Sequence, residues 1–210
     1  MASRPAPARR DPADPEMAFP FIGGCPCLNF VATLGKRHTA PVERLPDPDA
    51  LARWISEARL RAGPDRMRIT AEDLTAARVL REALHRVLLA AMGGNTPDPA
   101  DAAQINEAAA HPDLTPQLAR ADTDADDRRQ PVLRWQAAHP AQAALATVAR
   151  DAVLLISGPR LARVKECENP ECSLLFLDDS QARRRRWCSM ERCGNLVKVA
   201  GYRTRRRGGS

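Results

Sequence analysis

Two cysteine pairs near the C-terminus restrict this chain more than any other feature. The segment CENPEC carries Cys167 and Cys172 with four residues between them, CSMERC carries Cys188 and Cys193 with four between, and fifteen residues separate the pairs. Zn2+ takes four thiolate or imidazole ligands in a tetrahedron, and close pairs of this kind bring them to one ion. Asn169-Pro170 favours a tight turn inside the first pair, as both sulfurs need in order to face that ion. Four cysteines leave no open position for a substrate water, so the expected cofactor is one structural Zn2+ held by Cys167, Cys172, Cys188 and Cys193. A module of about 45 residues has little core of its own and needs such a staple. The competing readings are unrelated buried thiols, or two disulfides in an oxidising compartment that the N-terminal sequence does not signal.

The charge is placed unevenly. The chain of 210 residues carries a formal +6, yet the segment from Arg160 to Ser210 holds thirteen Lys/Arg against six Asp/Glu. All of the basic excess therefore lies with the cysteines, which points to a polyanionic partner for that segment or to a solvated charged tail. No stretch approaches the roughly 18 apolar residues of a membrane span. The opening MASRPAPARRDPADPEM lacks the apolar core of a secretory signal, so residues 1–16 read as a disordered lead-in and the expected location is cytoplasmic.

Aromatic residues make up only 4% of the chain, and Ala and Leu carry the apolar load, which favours helices. In GGCPCLNFVATL, Gly23-Gly24 marks a turn, and the following run is a short helix or a strand. Leu51, Trp54, Ile55 and Ala58 form a helical stripe behind Asp47 and Pro48. The longest helix begins at Thr70, with Asp73 three residues on, and its stripe runs from Leu74 to Ala91 before Gly93-Gly94. PADAAQINEAAA and PAQAALATVARDAVLLIS are two further helices, with strands expected at 115–119 and 132–135 around the acidic stretch ADTDADD. LARVKE and SLLFLDDS read as a strand pair flanking the first cysteines. The expected fold class is α+β: a mostly helical domain over 17–158 with a few short strands, then a small treble-clef-like four-Cys zinc finger over 159–207.

A helix starting near Glu191 would turn Cys193, Val197 and Ala200 toward the metal and put basic residues outside. The candidate nucleic-acid contacts are Arg183, Arg184, Arg185, Arg186, Arg192, Asn195, Lys198, Arg203, Arg205 and Arg206. Trp187 reads as a core plug, with base stacking as the other role.

These residues carry a family resemblance. CENPECSLLFLDDSQARRRRWCSMERCGN closely resembles the CGNR-type zinc finger, and GGCPCLNFVATL resembles the Leu-Asp-Phe-x-Asn-Thr motif of the ABATE domain that precedes it. The resemblance implies a bacterial transcription regulator, some relatives being associated with stress. It also implies zinc on the four cysteines, DNA contacted from the finger, and a sensing or dimerising N-terminal domain. Three positions depart from the pattern: Leu196 stands where the family has Arg, Asn29 where it has Asp, and Ala32 where it has Asn.

The function expected is a zinc-dependent DNA-binding transcription regulator whose partners are double-stranded DNA, a small-molecule effector and a second copy of the chain, but no membrane. The alternative is a protein- or RNA-interaction module whose basic finger binds an acidic partner. An enzyme is not expected, because His38, His85, His111 and His139 are scattered and no nucleophile motif or phosphate-cradling glycine loop appears. Cys25 and Cys27 stand apart as buried apolar thiols or a redox-sensing pair; a disulfide over that spacing would be strained.

Overall fold

A computed structural model of the chain describes residues 14–60, 67–120 and 131–195. The lead-in expected over 1–16 lies mostly outside them; its last residues, Asp14 to Glu16, enter a 3-10 turn at Pro15–Met17 whose Met17 is buried.

The ambiguous run after Gly24 is a helix, α1 (Pro26–Val31). Cys25 is extended at its N-cap and Pro26 fills the first turn, where a missing N–H leaves no bond unmade. The chain then makes a two-residue ladder, β1 (Leu34–Gly35) against β2 (Val42–Glu43), which hydropathy alone does not announce. In α2 (Pro48–Glu57) the Asp47 side chain caps the Ala50 N–H. In α3 (Ala71–Met92) Thr70 and Asp73 form the reciprocal capping box that their spacing predicts. Next come α4 (Pro99–Ala110), the antiparallel hairpin β3 (Thr115–Arg120) and β4 (Pro131–Gln136), and α5 (Pro140–Ser157). The last ladder is β5 (Val164–Glu166) antiparallel to β6 (Leu175–Leu177), in the register Lys165 opposite Phe176.

The main core lies between α1, α2, α3 and α5. Trp54 of α2 is fully buried and its ring centroid lies 4.9 Å from that of Phe30. Ala144, Ala149 and Ala152 give α5 a small-residue face, so neighbouring helices approach closely. The architecture is α+β: a mainly helical body followed by a four-cysteine region built on short strands.

The two parts share their interiors. Val164, Leu175 and Leu177 of β5 and β6 belong to the helical core, while Ala32 and Ile22 pack on the cysteines. The Leu177 N–H donates to the Gly23 carbonyl at 2.8 Å, and the Arg37 N–H donates to Ser173 Oγ at 2.9 Å.

Candidate metal centre

Each cysteine pair is positioned by local backbone bonds. The Cys167 N–H donates to the Leu174 carbonyl at 3.0 Å, placing Cys167 at the exit of β5. The Cys172 N–H donates to the Asn169 carbonyl at 2.7 Å and the Glu171 N–H to Asn169 Oδ1 at 3.1 Å, closing the turn expected of Asn-Pro. On the other side, Ser189 caps a short helical turn by accepting the Arg192 N–H at 2.9 Å. That turn is widened: the Gly194 N–H reaches back to the Ser189 carbonyl at 3.1 Å, a five-residue span that sets Cys193 facing Cys188. The helix expected from Glu191 thus begins one residue earlier, and its continuation beyond Asn195 lies outside the described residues.

The four sulfurs lie within 4.8 Å of one another and all four residues are buried. Cys172 Sγ is 3.9 Å from Cys188 Sγ, which is 3.6 Å from Cys193 Sγ. A tetrahedral site with Zn–S bonds of about 2.3 Å has sulfur-to-sulfur edges of about 3.8 Å. The cluster therefore has the dimensions of a zinc tetrathiolate. Donation to Cys167 raises the Cys172 thiol and Cys188 is raised in the same way, while Cys167 is lowered, because sulfurs this close do not all ionise without a cation between them.

The shell around the sulfurs is apolar on one side and basic on the other. Leu174, Phe176, Ala32 and Trp187 exclude water. Gly194 packs closely here: a Cβ there would meet Met190 Sδ at 2.6 Å and the Trp187 ring at 3.3 Å, so a side chain would displace the end of Met190. Arg44, only 1% exposed, donates from Nε to the Glu16 carbonyl at 2.7 Å and from Nη1 to the Ala32 carbonyl at 3.2 Å. Burial, reinforced by Arg192, brings its pKa down to about 10, and Cys172 acts in the opposite sense. A zinc ion with four thiolates carries net negative charge, so a buried guanidinium beside it is favourable. A cavity of about 390 Å3 opens there, lined by Glu16, Lys36, Arg44, Asn169, Glu171 and Arg192 among others.

The family comparison rests on the same residues. A family model named ABATE, described as "Putative stress-induced transcription regulator", matches residues 24–159. The chain belongs to the ABATE family. A second model, the CGNR zinc finger, matches residues 163–206 and spans all four cysteines, so this ABATE-family protein carries one structural zinc. Neither is an enzyme family. No curated protein matches the chain. Among the described residues, no helix is long and apolar enough to cross a membrane.

In this ABATE protein the arginine run lies on a loop organised by Asp178. That carboxylate is fully buried and accepts from Lys165 Nζ at 2.6 Å, Ser180 Oγ at 2.5 Å, and the N–H groups of Ser180 at 3.2 Å and Arg185 at 2.9 Å. The Lys165 ammonium first, then Ser180, hold it well below the usual carboxylate range. The four arginines then diverge. Arg185 turns inward, its guanidinium 4.7 Å over the Phe176 ring and donating to the Cys188 carbonyl. Arg186 pairs with Glu168 at 2.6 Å and lies 5.1 Å over the Trp187 ring. Arg183 and Arg184 are exposed, and among the described residues neither forms an ion pair. Arg192 is half-buried at the cavity and Asn195 is exposed. Lys198, Arg203, Arg205, Arg206 and the variant position Leu196 lie outside the described residues.

Sequence reasoning misses Arg44 and Asp178. Asp178-x-Ser180 after a strand is a recognisable side-chain turn signal. Arg44 has no local signal, because its partners come from distant parts of the chain. Of the departures from the family pattern, Asn29 accepts the Gly23 N–H at 2.8 Å, and Ala32 is buried against the cysteine cluster.

Proposed function

We propose that this protein is a zinc-dependent transcription regulator that binds double-stranded DNA through residues 159–207, with residues 17–158 receiving an effector or forming a dimer. The observation that carries the reading is the pair Arg183 and Arg184, exposed and without ion-pair partners among the described residues, on a loop that Arg185 fastens to Asp178 and to the Cys188 carbonyl. Zinc held by Cys167, Cys172, Cys188 and Cys193 makes that loop rigid, so the guanidinium groups meet phosphates with little further loss of entropy. Arg186 joins them by exchanging Glu168 for a phosphate. Arg185 acts from within by holding the loop on Phe176. Arg192, Asn195, Lys198, Arg203, Arg205 and Arg206 extend the same basic segment.

For the N-terminal part, the cavity beside Arg44 supports effector binding, since it is lined by both the helical body and the cysteine region. Leu118 and Leu133, directly opposite in the β3–β4 ladder and 84% and 62% exposed, support self-association.

The test is duplex binding by the full chain over a salt series. Each phosphate neutralised releases counterion, so affinity falls steeply with salt, and replacing both Arg183 and Arg184 by Ala lowers the log–log slope by about 2. Binding that is independent of salt, or a slope unchanged in the double variant, contradicts the reading. Enrichment of one acidic protein or one transcript without duplex binding favours the interaction-module alternative.

A further inference from the structure

We propose that Cys25, Cys27 and Asp151 form a second metal site, distinct from the four-cysteine centre and suited to a thiophilic divalent cation such as Zn2+. Their ligand atoms lie within 4.8 Å of one another. The Cys25 and Cys27 sulfurs are 3.6 Å apart, the spacing found between Cys188 and Cys193 and close to the edge of about 3.8 Å that tetrahedral Zn–S bonds require. A disulfide would need about 2.0 Å, so the two are separate thiols, each free to act as a ligand.

The third donor comes from far along the chain. Asp151, on α5, accepts the Cys27 N–H on Oδ2 at 2.8 Å, which fixes the carboxylate beside the sulfurs. Pro26 between the cysteines restrains the backbone, so both Sγ atoms are presented to the same side with little freedom to lose. Cys27 is fully buried, Cys25 is 7% exposed, and Asp151 is half-buried, which leaves an approach from solvent past Cys25 and Asp151.

The donor set defines the chemistry. Two thiolates and one carboxylate are three protein ligands, so a tetrahedral ion keeps one open position, unlike the closed four-cysteine centre. Sulfur donors disfavour Mg2+ and Ca2+, which prefer oxygen. Binding releases the thiol protons, so affinity rises with pH. The open coordination makes this ion the more exchangeable of the two. Its occupancy bears on the finger as well, because the adjoining Gly23 carbonyl holds the Leu177 N–H at 2.8 Å.

Zinc content of the full chain, saturated with Zn2+ and cleared of free metal, tests the site. The intact protein is expected to hold two zinc ions, and the Cys25→Ser/Cys27→Ser variant one. Asp151→Asn preserves an oxygen acceptor for the Cys27 N–H but removes the charge; it is expected to release the second ion at least about ten-fold more readily to a chelator, with the first unaffected. Cobalt titration gives a readout independent of variant folding: the second equivalent adds thiolate-to-cobalt charge-transfer intensity at about half the level of the first, for two thiolates against four. One zinc per intact chain at saturation overturns the proposal. So does a second ion that survives in both variants, or a Cys25–Cys27 disulfide in the zinc-treated protein.

Discussion

The Leu177 N–H donates to the Gly23 carbonyl at 2.8 Å, which ties the strand inside the zinc region to the turn that enters the first helix. The same turn places Gly24 at φ 92°, where an added Cβ would lie only 3.0 Å from Leu177 Cβ. A side chain at Gly24 would meet a left-handed backbone and a close neighbour together. Gly24→Ala is expected to destabilise the protein by about 1–2 kcal/mol and to weaken zinc retention, read by thermal melting and chelator competition. Gly94, also left-handed but with nothing within 4 Å, is the control: Gly94→Ala carries only the backbone cost.

Zinc removal is expected to reach beyond the cysteines. Leu175 and Leu177 are 1% and 2% exposed and belong to the helical core, so unfolding the zinc region strips a wall from that core. Chelation of the full chain should lower the melting temperature followed by helix ellipticity. An unchanged helical melt would mean that the shared interior adds nothing to stability.

Arg81 shows what periodicity conceals. It falls on the buried stripe of α3 at 3% exposure and makes two bonds of 2.7 Å to Glu43 and one of 2.9 Å to Glu82. Arg81→Met leaves the Glu43 carboxylate without its main partner, and the expected loss is about 3 kcal/mol in chemical denaturation. Adding Glu43→Gln to that variant should recover part of the loss, as a coupled pair requires.

His85 supplies a pH dependence. Burial first, then the Arg37 charge, lower its pKa from 6.5 to about 4. Between those values the unfolded chain binds a proton that the folded chain does not. Stability therefore rises with pH across that window and is lost as pH falls through it. The contribution is about 2 kcal/mol after allowing for its partial exposure. Denaturation of the protein and of His85→Gln from pH 4 to 7 checks it: the stability of the intact protein should rise relative to that of the variant as pH increases across this range, and parallel curves would mean that the histidine is not responsible.

The helices and the zinc constellation are legible in the sequence because their signals are local. Thr70 with Asp73, Pro at the helix starts and two Cys-x4-Cys pairs each lie within a few residues. The strands at 115–120 and 131–136 and the β5–β6 pair are legible for the same reason. What stays hidden is set by tertiary contacts. Arg44 is buried beside Cys172 by folding of the N-terminal segment over the finger, and Asp151 reaches Cys27 across 124 positions. Arg183 to Arg186 look equivalent as a run, yet Asp178 and Phe176 sort them into exposed and inward-facing residues.

The most direct measurement is duplex affinity of the full chain beside Cys193→Ala, with zinc content determined on both and folding checked by helix ellipticity. The account predicts that Cys193→Ala loses the structural zinc and at least about ten-fold in duplex affinity, while the helical signal persists. Duplex binding undiminished in a folded variant that has lost the zinc would contradict it.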